Sequence, residues 1–278
     1  MTTVMNLIHS AKELNRMLND PDLGGKTVVV DTRPLVEYLD GHIPGAINID
    51  LIQFHWIDTS RIGIGQFNRQ MNILFSNLGL TDTKFAVFYD DISGPSASRG
   101  VWLSHYFSQL NASILDGGLG QWKAEGLEIE KETNAFPHSK LSATANSEVL
   151  ADLKMVKSSI MRRSDKKYAL LDCRSEQEFE GRVVRALKRG HIPHAINIDW
   201  SLNIDRENNG KFKSLSDLAK TYSRISKSDE VITYCQGGYR AANTYIVLKM
   251  LGYVKVRMYL GSWGEWGNKP DLPVEKSN

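Results

Sequence analysis

The chain has 278 residues, of which 41% are hydrophobic and 24% charged, and its net charge is +2 at neutral pH. This composition is typical of a globular protein, and so small a positive charge argues against nucleic-acid binding as its main function. No apolar stretch indicates a membrane span and the first residues lack a signal-peptide pattern, so we expect a cytoplasmic protein that binds neither nucleic acid nor membranes.

The first half of the chain predicts alternating helices and strands. Ser10 and Glu13 form a capping-box pattern that opens a helix through Leu18. The elements predicted after it are a strand over Thr27–Asp31, a strand over Ile47–Asp50, a polar loop to Gly65, a helix over Gln66–Leu78, a strand over Phe85–Tyr89, a helix after Arg99 and a strand over Ser113–Leu115.

The second half predicts the same alternation. Its predicted elements are a helix capped by Asp152, a strand over Ala169–Asp172, a helix capped by Ser214 with Asp217, a strand over Val231–Tyr234, and a helix over Ala241–Leu251 that ends at Gly252. Strands that alternate with crossover helices predict an α/β fold, in which a mostly parallel sheet is flanked by helices.

Short motifs recur in the two halves in the same order. The pairs are Val29-Val-Asp-Thr-Arg33 with Leu170-Leu-Asp-Cys-Arg174, Gly41-His-Ile-Pro with Gly190-His-Ile-Pro, Val87-Phe-Tyr-Asp90 with Ile232-Thr-Tyr-Cys235, and Gly117-Gly-Leu-Gly-Gln-Trp122 with Gly261-Ser-Trp-Gly-Glu-Trp266. They predict a tandem duplication of a domain of about 130 residues. We place a non-catalytic domain at residues 1–133, a linker at 134–146 and a catalytic domain at 147–278.

Cys235 is the candidate nucleophile, because it lies between a predicted strand and a predicted helix. A Gly-Gly pair can turn backbone N–H groups toward the sulfur, and the helix N-terminus adds partial positive charge, so we expect a lowered thiol pKa. The candidate active-site loop after the cysteine consists of Gln236, Gly237, Gly238, Tyr239 and Arg240. Cys173, in contrast, lies in a buried-strand pattern and is expected to be structural.

Asp90 takes the position of Cys235 in the first copy, where a thiol nucleophile is therefore missing. Its loop is longer and contains a proline, so we expect it to lack an inward-facing cradle and the first domain to be catalytically silent. A metal site on Asp90 and Asp91 is disfavoured, since adjacent loop acids are usually solvated. No metal and no other cofactor is expected.

Both copies carry a histidine in the Gly-His-Ile-Pro motif, but only one copy carries the cysteine. His42 and His191 are therefore expected to stabilise a turn rather than to act as a general base.

The second copy is longer by eight residues between its Asp-x-Arg and Gly-His-Ile-Pro motifs. This basic insertion, residues 180–189, carries Arg182, Arg185, Lys188 and Arg189. One interpretation is a solvated basic loop. The other is a rim that collects anions beside Cys235, because arginine presents paired donors to sulfonate and carboxylate oxygens.

Taken together, the duplicated unit, the paired motifs and the loop from Cys235 to Arg240 resemble the two-domain rhodanese-like sulfurtransferases, which include thiosulfate and 3-mercaptopyruvate sulfurtransferases. The resemblance implies that Cys235 takes a sulfur from a small anionic donor, holds it as a persulfide and passes it to cyanide, a thiol or a protein acceptor. It also implies that Arg182 and Arg189 contact the donor.

The loop departs from the familiar two-domain pattern. It ends in Gly238-Tyr-Arg240 instead of Gly-Val-Thr, and Gln236 and Gly237 replace the small Ser-type pattern of the mercaptopyruvate branch. An added cation favours the compact dianion thiosulfate as donor, provided that Arg240 points into the pocket.

Two other functions stay open from the sequence. One is a non-enzymatic module that binds or relays sulfur between proteins. The other is a Cys-dependent phosphatase or arsenate reductase, which is disfavoured because Arg240 lies only five residues after Cys235 and so short a loop suits a sulfur better than a phosphate.

Overall fold

The computed structural model describes residues 6–81, 83–108, 111–140, 144–161 and 168–276. These residues divide into two compact units. The first unit comprises the described parts of Met1–Gln53, Asn68–Ala145 and Ile204–Phe212. The second comprises the described parts of Phe54–Phe67, Asn146–Asn203 and Lys213–Asn278.

The first half of the chain forms five strands and five helices within the described residues. They are β1 Ile8–His9, α1 Ala11–Asn19, β2 Thr27–Asp31, α2 Leu35–Asp40, β3 Ile47–Asn48, α3 Arg61–Asn77, β4 Phe85–Tyr89, α4 Pro95–Tyr106, β5 Ala112–Leu115 and α5 Gly118–Ala124. The strands pair in parallel in the order β1-β5-β4-β2-β3. The predicted capping box of Ser10 and Glu13 opens α1.

The second half repeats this arrangement. Its elements are β6 Leu150–Ala151, α6 Leu153–Met161, β7 Tyr168–Asp172, α7 Glu176–Phe179, β8 Ile196–Asn197, β9 Ile204–Asp205, β10 Lys211–Phe212, α8 Leu215–Thr221, β11 Glu230–Tyr234, α9 Tyr239–Met250, β12 Val256–Tyr259 and α10 Ser262–Trp266. The parallel sheet has the order β6-β12-β11-β7-β8, equivalent to that of the first sheet, while β9 and β10 form a separate antiparallel pair. The predicted α/β fold with two copies of one unit is thus confirmed.

The recurring Asp-x-Arg motif fastens each sheet to the turn that follows it. Arg33 forms an ion pair with Asp31 at 2.6 Å and donates to the Gly41 carbonyl at 2.8 Å. Arg174 bonds in the same way to Asp172 at 2.5 Å and to the Gly190 carbonyl at 2.9 Å. Because these charges are buried, their mutual pairing is what makes their burial tolerable.

The two histidines of the Gly-His-Ile-Pro motif have the predicted turn role. Nδ1 of His42 lies 2.8 Å from the Tyr38 carbonyl, and its ring stacks on Tyr38 at 3.7 Å. Nδ1 of His191 lies 2.9 Å from the Phe179 carbonyl, and its ring stacks on Phe179 at 3.6 Å. Each ring thus joins the end of a helix to the start of the next turn.

Three helix starts differ from the sequence prediction. α3 begins at Arg61, so the loop predicted to extend to Gly65 is wrong. α4 begins at Pro95, because a proline at the first helical position loses no hydrogen bond. α9 begins at Tyr239, directly after Gly238, whose φ of +92° sets the start of the helix.

The domain boundaries stay a prediction. Within the predicted linker, residues 141–143 lie outside the described residues, whereas Ser139 donates from its backbone to the Ser76 carbonyl at 2.7 Å. Two segments belong to the unit formed mainly by the other half of the chain. Phe54–Phe67, called the His55 strap, belongs to the second unit, and Ile204–Phe212, called the hairpin strap, belongs to the first.

No helix in the described part of the chain is long and apolar enough to cross a membrane.

Candidate active site

Cys235 follows the end of β11 and precedes α9. The residue is only 1% exposed, and the backbone N–H of Gly238 points at its sulfur, with an N to Sγ distance of 3.1 Å. The sulfur therefore lies at the positive end of a twelve-residue helix, as the sequence predicts. A backbone donor together with the helix N-terminus stabilises negative charge on sulfur.

The two glycines of the loop have different jobs. Gly238 adopts a φ of +92°, which is costly for a residue with a side chain. Gly237 permits a close approach, since a Cβ atom on it would lie 1.8 Å from Cε1 and 2.0 Å from Nδ1 of His55. The first glycine thus makes room for an imidazole and the second turns the chain into the helix.

The start of α10 supports the back of the loop. The backbone N–H of Trp263 donates to the Cys235 carbonyl at 2.9 Å, and that of Gly264 donates to the Gln236 carbonyl at 2.8 Å. Ser262, which is fully buried and has a φ of +50°, accepts the Cys235 N–H at 3.3 Å. The recurring motif that contains Trp263 therefore positions the cysteine.

Arg240 is held by a partner that the sequence analysis did not identify. Its guanidinium forms two hydrogen bonds to the Glu178 carboxylate, at 2.5 and 3.0 Å. Glu178 is 3% exposed and also lies 3.3 Å from Nε of Arg185. The Ser-x-x-Glu pattern that starts at Ser175 predicts a capping box, and the structure contains one. The pattern does not predict that the same glutamate binds a distant arginine.

The ion pair between Arg240 and Glu178 shifts the pKa of both groups. Burial acts to lower the pKa of Arg240, but the Glu178 hydrogen bonds and the negative charges of Cys235 and Glu178 outweigh it and raise that pKa. Burial acts to raise the pKa of Glu178, and the arginines around it reverse this and lower it. Both groups are therefore ionised at neutral pH.

The basic insertion reaches the loop through Arg185. The side-chain amide of Gln236 donates to the Arg185 carbonyl at 3.1 Å. Arg182 is 61% exposed and pairs with Glu180, and Arg189 is exposed. The hydrogen bonds and ion pairs of the described residues do not bring Arg182 or Arg189 to Cys235, so their role in donor binding stays a prediction.

Tyr239, the remaining loop residue, is 9% exposed and lies in the first turn of α9. Its predicted role in the active-site loop stays a prediction. Cys173 is fully buried, and burial raises its thiol pKa well above the ordinary value. A neutral, inaccessible thiol agrees with the structural role predicted for Cys173.

The loop of the first copy does form a cradle, contrary to the sequence expectation. The buried Asp90 carboxylate accepts backbone N–H groups from Ile92 at 3.3 Å, Gly94 at 3.1 Å, Ser96 at 3.2 Å and Ala97 at 3.4 Å. The expectation failed because Gly94 alone gives the close approach: a Cβ on it would lie 2.4 Å from an Asp90 oxygen. Burial raises the pKa of Asp90 to about 7, although these hydrogen bonds oppose the shift.

The model of the rhodanese-like domain matches this sequence twice, over residues 10–125 and 157–269. The chain belongs to the rhodanese-like family. It is 33% identical over 271 residues to the thiosulfate sulfurtransferase of Azotobacter vinelandii, with 97% of each chain covered. It is also 30% identical over 244 residues to the 3-mercaptopyruvate sulfurtransferase of Escherichia coli K12, covering 86% of this chain and 85% of that one.

Among solved structures, this rhodanese-like chain is similar to an anaerobic ergothioneine biosynthesis enzyme from Chlorobium limicola in complex with trimethyl histidine. The TM-score is 0.85 at 20% identity, over 98% of this chain and 71% of that one. So distant a likeness shows the fold alone. In the described residues of the rhodanese-like chain, no group of three or more His, Cys, Asp or Glu side chains could hold a metal ion.

Proposed function

We propose that this protein is a sulfurtransferase that carries sulfur on Cys235 as a persulfide and accepts it from thiosulfate. The observation that carries the proposal is the position of the Cys235 sulfur, which is buried at the start of α9 and faces the Gly238 N–H at 3.1 Å. The names of the relatives support the reaction class. The family alone would not assign the reaction to this chain, since one fold hosts many functions.

The transfer is a pair of nucleophilic displacements at sulfur. The Cys235 thiolate attacks the outer sulfur of thiosulfate, a sulfur–sulfur bond forms on Cys235, and the bond within the donor breaks so that its electron pair leaves with sulfite. Cyanide or an acceptor thiolate then attacks the outer sulfur of the persulfide, and Cys235 leaves as the thiolate. Charges balance in both steps, and no oxidant or reductant is consumed.

The loop stabilises the negative sulfur in each state. The Gly238 N–H and the α9 N-terminus lie beside the thiolate before the reaction and beside the persulfide after it. Arg240 adds a cation whose charge interacts with Cys235, but Glu178 shares that charge. The loop therefore favours an anion on sulfur without leaving an unpaired buried arginine.

Thiosulfate is the donor we propose, with 3-mercaptopyruvate as the alternative. A relative named thiosulfate sulfurtransferase matches 97% of the chain at 33% identity, whereas the mercaptopyruvate relative matches 86% at 30%. The ion pair with Glu178 weakens the argument from sequence for thiosulfate, which required an unshared cation on Arg240. Arg182 and Arg189, exposed on the basic insertion, are proposed to attract the anionic donor.

Mass spectrometry after treatment with thiosulfate tests the proposal. We expect one added sulfur on the peptide that contains Cys235, lost in Cys235→Ser and retained in Cys173→Ser. Steady-state rates with thiosulfate and with 3-mercaptopyruvate, each with cyanide as acceptor, then rank the donors. Normal turnover by Cys235→Ser would overturn the assignment of the nucleophile, and a higher kcat/KM for 3-mercaptopyruvate would overturn the choice of donor.

A further inference from the structure

The His55 strap, Phe54–Phe67, approaches the Cys235 loop through His55 and Ile57. The His55 ring lies against Gly237, at the distances given above, and its Nε2 would be 3.3 Å from a Cβ atom on Gly264. Ile57 follows it, with Cγ2 3.0 Å from the same Gly264 position, although half of its surface is exposed. An exposed histidine and an exposed isoleucine thus border the loop that holds the thiol.

A buried carboxylate fastens this strap. Glu265 is 4% exposed and accepts both the backbone N–H of Thr59 at 3.0 Å and its hydroxyl at 2.6 Å. The Tyr259 hydroxyl donates to the same carboxylate at 2.8 Å. Thr59 Oγ1 in turn accepts the N–H of Leu153 at 2.9 Å. Hydrogen bonds to a buried charge are among the stronger ones in proteins, so this group is a latch.

The first unit has an equivalent latch on the hairpin strap. Gln121, which matches Glu265 in the recurring motif, accepts the Asn209 side-chain N–H at 2.9 Å. The neighbouring Gly210 carbonyl accepts the Ser93 N–H at 2.9 Å, in the loop that holds Asp90. Each strap is therefore fastened beside the loop after the equivalent strand, but only the His55 strap borders a thiol.

We propose that Glu265 is a positioning residue that holds His55 against the Cys235 loop, and that the His55 strap thereby determines which sulfur acceptors reach Cys235. The inference rests on the proposed function of Cys235 as the sulfur carrier. Because Cys235 is 1% exposed, an acceptor must pass the border of the loop to reach the outer sulfur. Cyanide has two heavy atoms and passes easily, whereas a tripeptide thiol such as glutathione is hindered.

The test compares kcat/KM for glutathione with kcat/KM for cyanide, with thiosulfate as donor in both assays. Thr59→Val removes the hydroxyl from the latch, and we expect the ratio of glutathione to cyanide to rise by about tenfold, the order that the loss of one charged hydrogen bond gives. Thr59→Ser keeps the hydroxyl and should keep the wild-type ratio. Asn209→Ala, which breaks the latch of the first unit, is the matched control and should also keep it.

His55→Ala is a second variant that tests the inference even if Thr59→Val does not fold. The His55 ring is exposed, and its removal leaves the hydrogen bonds of Glu265 intact. This variant should raise the same ratio. Equal ratios in wild type, Thr59→Val and His55→Ala would overturn the inference, as would an equal rise in Asn209→Ala. Failure of the wild-type protein to gain sulfur on Cys235 would instead overturn the proposed function, so the two failures can be told apart.

Discussion

The loops after β4 and β11 occupy equivalent places in their sheets, yet one encloses a carboxylate and the other a thiol. The pairs Asp31 with Tyr89 and Asp172 with Tyr234 show that the two loops leave their sheets in the same register. In the first loop, four backbone N–H groups already bind the Asp90 oxygens. The same position of the fold thus collects backbone N–H donors around a carboxyl group in one unit and around a thiol in the other, and we propose that only the thiol takes part in sulfur transfer.

The charged groups around the loops differ as well. Glu178 is buried and binds Arg240, whereas the matching Glu37 on α2 is exposed. In the first unit the arginine that follows the loop, Arg99, is 1% exposed and lies over the Trp102 ring at 4.7 Å. The unit with the thiol therefore couples its loop to the preceding helix through an ion pair, and the unit with Asp90 packs its arginine on an aromatic ring.

Loss of the Asp90 carboxyl group should destabilise the first unit. Asp90→Ala leaves four backbone N–H groups without their acceptor, those of Gly94 and Ala97 being buried, so we expect the free energy of unfolding to fall by about 3 kcal/mol. The measurement is urea denaturation at pH 6, below the Asp90 pKa of about 7, because a pKa raised by burial means that ionisation of this carboxyl group lowers the stability of the wild type at higher pH. Sulfur transfer per folded molecule should be unchanged.

Asp91→Ala is the control for this experiment, because the Asp91 side chain is 64% exposed and its ion pair with Arg33 is long at 3.4 Å. It should change the free energy of unfolding by less than about 1 kcal/mol. An Asp90→Ala protein as stable as Asp91→Ala would contradict the view that the carboxylate holds its loop together.

The sequence predicts the duplication, both sheets and the place of the thiol, because these follow from local patterns. Strands such as Phe85–Tyr89 are marked by a run of apolar residues, and the Gly-Gly pair marks the turn before α9. The four N–H groups around Asp90 were not predicted, because the sequence of a longer loop does not show in which direction its backbone N–H groups point. A single glycine, Gly94, was sufficient to bring the backbone close.

Long-range partners were missed for another reason. His55 meets Gly237 although the two are far apart in sequence, and Glu178 meets Arg240 across a gap of 62 residues. Periodicity and motif spacing report neighbours on one element, not pairs brought together by the closing of a sheet. The recurring motif holds a carboxylate, Glu265, where the first copy has Gln121, but the two copies also differ at the two positions before Gly120 and Gly264, so the motif alone does not identify the partner of Glu265.

A methyl group added to Gly237 should disturb the Cys235 loop. In Gly237→Ala the new Cβ would lie 1.8 Å from Cε1 of His55, so either the loop or the His55 strap must move. Overpacking of this kind costs about 2 kcal/mol, and we expect kcat/KM for thiosulfate to fall about thirtyfold. The double variant His55→Ala with Gly237→Ala should recover most of the loss, because it removes the ring that the methyl group meets.

Gly25→Ala is the matched control, since nothing lies within 4 Å of a Cβ at Gly25. It should have the kcat/KM of wild type. If the double variant were no more active than Gly237→Ala alone, the contact with His55 would not be the cause of the loss, and the shape of the loop itself would be.

The ion pair between Arg240 and Glu178 should make the contributions of these two side chains to stability interdependent. Because two hydrogen bonds join Arg240 to Glu178, Glu178→Gln and Arg240→Lys should each lower the free energy of unfolding. Their effects should not add, and a double-mutant cycle should give a coupling energy of about 1.5 kcal/mol. Urea denaturation of the two variants, the double variant and wild type measures it. Since Glu178 holds Arg240, both single variants should raise KM for thiosulfate to a similar extent. Additive losses of stability, together with a rise in KM in Arg240→Lys alone, would show instead that Arg240 contacts the donor without help from Glu178.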